Sequence, residues 1–172
     1  MSIQLSEPSP ADDRLIAQAE LMSRRRGGRT VACAESFTSG LLSQSIAAAE
    51  GSSKWFLGGV VTYMTEAKRS VLGVTSGRVV HEQAAQEMAL GAARLFGVDA
   101  AVATTGVAGP DELEGNPPGT VVIGWAVDGR AGSSVHYFAG PPSEVVRRGV
   151  SAALTQLAAA LGDVEESAAA TN

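Results

Sequence analysis

The stretch Thr30-Val31-Ala32-Cys33-Ala34-Glu35-Ser36-Phe37-Thr38-Ser39-Gly40 organises this chain. It begins as a short apolar run typical of a strand, changes to small hydroxylated residues, and leads into a helical pattern at residues 41–49. A strand, a tight turn and a helix in this order bring several backbone N–H groups to one point, where the helix dipole adds positive potential. The stretch therefore predicts an anion site beside a nucleophilic hydroxyl, Ser36 or Thr38. The alternative is a junction without chemistry, which is what most such junctions are.

Composition limits the class of protein. The chain has 172 residues, of which 45% are hydrophobic, as expected for one globular domain. Its net charge of −5 argues against a nucleic-acid partner. The single cysteine, Cys33, fits a reducing compartment, and we see neither a membrane span nor a secretory signal. We therefore expect a cytoplasmic protein without a membrane or nucleic-acid partner.

Helical and strand patterns alternate along the chain in the order α-β-α-β-α-α-β-β-β-α. Helices separate the early strands, which predicts parallel pairing, and the turn at residues 128–132 predicts a hairpin. The expected fold is α/β: a single-domain three-layer α/β/α sandwich with a mixed, mostly parallel sheet. We place a disordered lead at residues 1–11, the domain at 12–162 and a flexible tail at 163–172.

The use of lysine suggests a catalytic base. Lys and Arg together number 13, but only Lys54 and Lys68 are lysines. A buried lysine can lose its proton, whereas arginine stays charged. Counts alone equally fit a bias towards arginine with two incidental lysines. Lys68 is the better candidate, because its predicted helix directly follows the strand that ends at Tyr63.

Polar strand ends are expected to meet at one edge of the sheet. Parallel strands place Ser36, Tyr63 and Thr105 at their carboxyl ends, where open α/β sheets bind ligands, and Lys68 lies nearby. A serine with a neutral lysine as general base is a nucleophile arrangement in which tyrosine can relay the proton. Backbone N–H groups after Ser36 or near Gly106 would hold an oxyanion. This grouping favours acyl transfer, most simply amide or ester hydrolysis.

The sequence gives little support for a phosphate-loop, dinucleotide or metal site. A phosphate loop with Lys-Ser/Thr and a dinucleotide fingerprint are both missing. The two histidines, His81 and His136, have no Cys, His or carboxylate at ligand spacing, so we expect no metal and no cofactor. A phosphate would be bound by the loop at 106–119 together with Arg147 or Arg148, unless these arginines only form a surface helix turn.

Several short motifs occur in a fixed order along the chain. They are Ala34-Glu35-Ser36-Phe37-Thr38-Ser39-Gly40, Gly51-Ser52-Ser53, Val61-Thr62-Tyr63, Glu66-Ala67-Lys68, Leu72-Gly73-Val74, Glu87-Met88-Ala89, Thr105-Gly106-Val107-Ala108-Gly109-Pro110, Pro118-Gly119-Thr120-Val121 and Val146-Arg147-Arg148. Together they resemble the CinA C-terminal domain family over about residues 12–161.

The resemblance implies deamidation of nicotinamide mononucleotide to nicotinic acid mononucleotide and ammonia. It also implies the three-layer fold, no required metal, and an active form that is often a homo-oligomer. The catalytic Ser and Lys of the family fall on Ser36 and Lys68, its Tyr on Tyr63, and its hydroxyl before Gly-x-Ala-Gly-Pro on Thr105. The residues expected to contact the pyridine mononucleotide substrate are Glu35, Thr38, Ser39, Gly40, Thr105, Gly106 and Arg147.

The chain departs from the family pattern beside the expected nucleophile. Phe37 stands where the family has Cys, and Ser39 stands where it has the first Gly of Gly-Gly. Glu112-Leu113 replaces a glycine pair in the loop, and Gly140-Pro141-Pro142 lacks the arginine that is usual after the last strand. These departures leave an alternative open, in which the protein is a non-catalytic nucleotide-binding or regulatory relative.

Overall fold

The computed structural model describes the backbone of residues 10–169 and the side chains of residues 13–164. The helices are α1 (Pro10–Arg24), α2 (Leu41–Ala47), α3 (Thr65–Leu72), α4 (Glu82–Phe96) and α5 (Pro142–Ala169). The strands are β1 (Val31–Glu35), β2 (Phe56–Val61), β3 (Ala100–Gly106), β4 (Thr120–Val127) and β5 (Arg130–Tyr137), and a short 3-10 helix covers Ser52–Lys54.

The ends of the domain differ in detail from the expected boundaries. Helix α1 begins at Pro10, a residue suited to a first helical position because its missing N–H has no partner there. Helix α5 continues to Ala169, beyond the expected boundary at residue 162, since residues 163–169 contain neither Gly nor Pro. Residues 1–9 of the predicted lead and 170–172 of the predicted tail lie outside the described residues.

The five strands form one mixed sheet in the order β2-β1-β3-β4-β5. Strand β1 pairs in parallel with both β2 and β3, whereas β4 pairs antiparallel with β3 and β5. Four of the five strands therefore point the same way, although only two of the four pairings are parallel. The β4–β5 hairpin turns at Asp128-Gly129, whose φ values of 50° and 79° are those of a type I′ turn.

Helices cover both faces of the sheet. One core lies between the sheet and α1, α2 and α5, with Val31, Ile46 and Leu157 at its centre. A second core, which contains Ala34 and Met88, lies between the sheet and α3 and α4. The predicted three-layer sandwich is confirmed.

Strand β2 occupies a different range from the predicted strand Gly59–Tyr63. It begins at Phe56 and ends at Val61, so Tyr63 follows the strand. A side chain at Gly59 would collide with Ser43 and Cys33. This glycine therefore serves the close approach of α2 to the sheet, and the strand runs through the glycine pair instead of beginning at it.

Candidate functional site

The turn after β1 is built around the carboxylate of Glu35, which is fully buried. Its Oε2 accepts hydrogen bonds from the Thr38 hydroxyl (2.7 Å) and from the N–H groups of Gly40 (2.9 Å) and Leu42 (3.1 Å). Its Oε1 accepts from the Ser43 N–H (2.8 Å) and the Ser43 hydroxyl. The anion that the start of α2 attracts is thus the protein's own carboxylate.

This network changes the expected roles of two residues. With five donors on its two oxygens, Glu35 positions the turn and leaves no oxygen free for a substrate. The Thr38 hydroxyl donates to Glu35 and so accepts the hydrogen bond that it shares with Thr104 (2.7 Å). Thr38 is 2% exposed. The structure therefore places both side chains inside the turn, where they hydrogen-bond to the protein itself.

Ser36 follows Glu35 in this turn and is buried, 8% exposed. Its N–H donates to the Thr104 carbonyl (3.1 Å), which continues the β1–β3 pairing by one residue. Within the described part of the chain, the Ser36 hydroxyl has no hydrogen-bond partner, and the N–H groups of Phe37 and Thr38 have no acceptor. A hydroxyl next to two unused N–H donors is the arrangement that acyl transfer requires.

Lys68 is 1% exposed and projects from α3 towards the end of β2. Its Nζ donates to the carbonyls of Thr62 (2.7 Å) and Tyr63 (2.9 Å). Burial lowers the pKa of Lys68, and the carboxylate of Glu114 partly opposes this effect. A neutral amine has two N–H bonds and one lone pair. These two carbonyls can therefore hold a neutral Lys68 and leave its lone pair free.

The ends of β1, β2 and β3 bring the hydroxyl-bearing residues Ser36, Thr62 and Thr105 into a row. The register pairs Glu35 with Val61 on one side and with Thr104 on the other. One residue further along, Ser36 lies between Thr62 and Thr105, with neighbouring strands about 4.8 Å apart. Since Ala34, Val60 and Ala103 face α3 and α4, the side chains two residues further along face the same layer, which also contains Lys68.

The loop between β3 and β4, at residues 107–119, reaches the same edge of the sheet. Leu113 and Asn116 pair across a tight turn, at whose tip Glu114 and Gly115 have φ values of 55° and 76°. The Glu114 carboxylate accepts from the N–H groups of Val79 (2.9 Å) and Val80 (3.0 Å). These bonds fasten the loop at 107–119 to the connection at Val79 and Val80, and the Glu114 carboxylate acts electrostatically on Lys68.

Other predicted site residues lie in different surroundings. Thr105 is 1% exposed and donates to the Val79 carbonyl (2.8 Å). The Tyr63 side chain is 67% exposed, and it is its carbonyl that holds Lys68. Ser39 is exposed in the left-handed region (φ 48°), and its hydroxyl donates to the Ser36 carbonyl (3.3 Å). The structure thus brings Ser36, Thr105 and Lys68 together but leaves the phenol of Tyr63 at the surface.

Arg147 lies in the opposite helical layer. It lines a groove of about 510 Å³ between α1 and α5, together with Arg14, Gln18 and Arg148. Helix α5 also packs on Phe37, the residue after Ser36, through Gly149. A phosphate contact from Arg147 stays a prediction.

Phe37 departs from the family pattern without disturbing the turn. Its ring is 8% exposed and packs into the core on the α5 side of the sheet. Added side chains at Gly106 and Gly149 would approach this ring to 3.2 and 2.6 Å. Gly149 therefore makes space for the ring, whereas a Cβ at Gly106 would first meet the Thr120 carbonyl oxygen at 2.5 Å, which gives Gly106 a packing role against β4.

The structure adds two residues that the sequence did not single out. Thr62 lies beside Ser36, and Glu114 lies beside Lys68. The sequence could have indicated Thr62 as a site residue, because it precedes Tyr63 at the end of a strand. The sequence carried no comparable signal for Glu114, because its approach depends on how the loop folds back.

The described residues show neither a metal-binding cluster nor a membrane-spanning helix. They contain no group of three or more His, Cys, Asp or Glu side chains placed to hold a metal ion. No helix in this part of the chain combines the length and the apolar character of a membrane span.

Comparison with known proteins identifies the family. The model of the CinA C-terminal domain matches residues 14–161. A competence-damage inducible protein of Bacillus subtilis is 38% identical over 143 residues, which cover 80% of this chain and 34% of that protein. The chain thus spans about a third of the length of the curated relatives it matches.

Solved structures agree with this result. A CinA superfamily protein from Klebsiella pneumoniae superposes with a TM-score of 0.82 at 32% identity, covering 87% of this chain and 98% of that one. The competence/damage inducible protein CihA from Agrobacterium tumefaciens gives 0.77 at 32% identity, with 91% and 99% covered. This chain therefore belongs to the CinA C-terminal domain family.

Proposed function

We propose that this protein is an amidohydrolase that converts nicotinamide mononucleotide to nicotinic acid mononucleotide and ammonia. The observation that carries the proposal is Lys68, a buried amine held by two carbonyls beside the free hydroxyl of Ser36. A lysine without a carboxylate hydrogen bond is an unusual buried group, and its surroundings favour the neutral, basic form.

The first half-reaction uses the groups around Ser36. The Ser36 Oγ attacks the carboxamide carbon while its proton passes to Lys68. The N–H groups of Phe37 and Thr38 stabilise the negative oxygen that forms. The C–N bond then breaks, and Lys68 returns the proton to the departing nitrogen, which leaves as ammonia.

The second half-reaction restores the enzyme. A water molecule attacks the ester carbon and gives its proton to Lys68. The C–O bond to Ser36 breaks, Ser36 regains its proton, and the acid product leaves. Every proton that moves is thus carried by the same amine, and no metal or cofactor is required.

The substrate is proposed to lie across the edge of the sheet. Its carboxamide occupies the α3/α4 side, next to Ser36 and Lys68. Its phosphate lies towards α5, where Arg147 and the exposed Ser39 are within reach of the turn. As in the family, the enzyme is proposed to act as a homo-oligomer.

Ammonia release tests the proposal. Wild-type protein incubated with nicotinamide mononucleotide should release ammonia and nicotinic acid mononucleotide, and Ser36→Ala should release neither. Nicotinamide itself, which lacks ribose and phosphate, is the control substrate and should react far more slowly. Binding of the nucleotide without ammonia release by the wild type would instead support the non-catalytic relative.

A further inference from the structure

One buried polar atom stands apart in this structure. Thr62 is 1% exposed, and its hydroxyl is the one buried side-chain oxygen or nitrogen, among the side chains at 13–164, that has no hydrogen-bond partner. An unsatisfied buried hydroxyl costs about 1–3 kcal/mol. Valine has the same shape and would avoid this cost, and the two preceding residues, Val60 and Val61, are valines. Stability therefore does not explain the threonine.

The position of Thr62 connects it to both proposed catalytic groups. Its carbonyl accepts from Lys68 Nζ at 2.7 Å, so this amine lies next to Thr62 itself. Its N–H donates to the Glu35 carbonyl at 2.8 Å, which places Thr62 beside Ser36 on the neighbouring strand. The side chains of Thr62 and Ser36 face the same helical layer, as shown by Val60 and Ala34 before them.

The two catalytic groups do not bond to each other directly. The hydrogen bonds of Lys68 go to the Thr62 and Tyr63 carbonyls, and the Ser36 hydroxyl has no partner within the described residues. A proton must nevertheless pass from one to the other. Thr62 contacts Lys68 through its carbonyl and is the β2-side neighbour of Ser36, and among the described side chains its buried hydroxyl lacks a partner.

We infer that the Thr62 hydroxyl bridges Ser36 and Lys68 and relays the proton between them. As the Ser36 oxygen attacks, its proton passes to the Thr62 oxygen, and the Thr62 proton passes to the lone pair of Lys68. When the C–N bond breaks, Lys68 gives a proton to the Thr62 oxygen and Thr62 gives its own proton to the departing nitrogen. When water later cleaves the ester, the same relay returns a proton to Ser36. Thr62 thus ends each half-reaction as it began, and charge and protons balance. This inference rests on the proposed Ser36–Lys68 chemistry.

Isosteric substitution separates the relay from a structural role. Thr62→Val removes only the unpartnered hydroxyl, so the melting temperature should stay the same or rise. Turnover should fall by about 10- to 100-fold with an unchanged KM, because the loss is confined to proton transfer. Thr62→Ser keeps the hydroxyl and should recover most of the turnover.

Thr120 provides a control for which the opposite result is expected. It is equally buried, but its hydroxyl donates to the Pro117 carbonyl (2.8 Å). Thr120→Val loses a satisfied hydrogen bond, so it should lower the melting temperature and leave turnover unchanged. If Thr62→Val behaves in this way instead, or if Thr62→Ser is as slow as Thr62→Val, the relay is wrong.

A second readout does not depend on the substrate. Diisopropyl fluorophosphate modifies an activated serine by forming a P–O bond and releasing fluoride, and intact-mass spectrometry reports the rate. Wild type and Thr62→Ser should be labelled at Ser36, Thr62→Val should react at least 10-fold more slowly, and Ser36→Ala should not react.

This labelling also separates the two proposals. If the wild type is labelled with the expected dependence on Thr62 but releases no ammonia from nicotinamide mononucleotide, the relay stands and the proposed substrate is wrong. Equal labelling of wild type and Thr62→Val, or no labelling of the wild type, overturns the relay.

Discussion

Lys68 is the residue on which the proposed chemistry depends. Water would keep a lysine side chain charged at neutral pH, but this amine is 1% exposed, and its hydrogen bonds within the described residues go to two neutral carbonyls. Burial lowers its pKa. Activity should therefore rise as pH increases through the lowered pKa, because only the neutral amine accepts a proton.

A pH–rate profile of kcat/KM checks this, with Lys68→Arg as the matched variant. Arginine keeps the positive charge and the donors but cannot deprotonate, so activity should fall by about 100-fold or more at every pH. Full activity in Lys68→Arg would remove Lys68 from the role of base.

The same pKa shift affects stability. The unfolded chain binds a proton at Lys68 up to its ordinary pKa of about 10.4, and the folded chain releases it earlier. Between these two values the unfolded state binds more protons, so the contribution of Lys68 to the free energy of unfolding increases with pH. A lysine that serves as a base thus lowers stability at neutral pH.

The packing of the Phe37 ring against Gly149 can be tested by substitution. A Cβ at Gly149 would lie 2.6 Å from the ring of Phe37, which is enclosed between Gly149 and Gly106. We expect Gly149→Ala to lower the free energy of unfolding by about 1–2 kcal/mol, with overpacking outweighing the gain in helix propensity. Urea denaturation measures the difference.

Gly162 in the same helix provides the control. An added Cβ there has Arg25 as its nearest neighbour at 3.6 Å, so Gly162→Ala should stabilise the protein by about 0.5–1 kcal/mol. In a Phe37→Leu background, the penalty of Gly149→Ala should shrink. If Gly149→Ala is as stable as Gly162→Ala, the ring does not fill this space.

At the level of elements, the connection between α3 and α4 is held by Glu87. Burial raises the pKa of this carboxyl, but hydrogen bonds from Gln83, Ser76 and Thr75 outweigh this effect and lower the pKa to about 2. The connection also presents Val79, which bonds to both Thr105 and Glu114. Glu87 thereby stabilises the connection that contacts Thr105 and Glu114, although Glu87 itself lies outside the site.

Glu87→Gln should destabilise the protein by about 1–2 kcal/mol at pH 7, since bonds to a charged acceptor are lost. The stabilisation is present above the ordinary pKa of glutamate, about 4.3, and disappears as pH falls towards 2. Thermal unfolding should therefore show a large difference at pH 7 that closes below pH 3. Glu50→Gln, at an exposed site, should show no difference at either pH.

The loop at 107–119 acts on the site through charge. The Glu114 carboxylate raises the pKa of Lys68 against the effect of burial. Glu114→Gln should move the acid limb of the kcat/KM profile to lower pH, because the charged amine loses a favourable neighbour. Glu112→Gln, in the same loop and exposed, should leave the limb in place. A shift to higher pH in Glu114→Gln would contradict this assignment.

Across the whole molecule, the three layers follow from the alternation of helical and strand patterns in the sequence. The turn at residues 128–132 correctly predicted the β4–β5 hairpin, because Asp-Gly suits the positive φ values of a type I′ turn. The polar strand ends correctly placed Ser36, Thr105 and Lys68 near one edge. These are consequences of register, which hydrophobic alternation determines.

What the sequence did not show depends on tertiary contacts. A carboxylate at the end of a strand can bind a ligand or cap the next helix, and only the folded turn shows that Glu35 does the second. The early start of β2 depends on α2 packing against Gly59. The significance of Thr62 appears only when every other buried polar atom of the described side chains is found to have a partner.

The central claim is that Ser36, activated by a neutral Lys68, forms a covalent intermediate with a pyridine mononucleotide amide. Mass spectrometry of acid-quenched enzyme mixed with nicotinamide mononucleotide tests it most directly. Peptide mapping should find a nicotinoyl-nucleotide adduct on Ser36 in the wild type, formed together with ammonia, and no adduct in Ser36→Ala or Lys68→Arg. Ammonia release at the wild-type rate from Ser36→Ala would contradict the account.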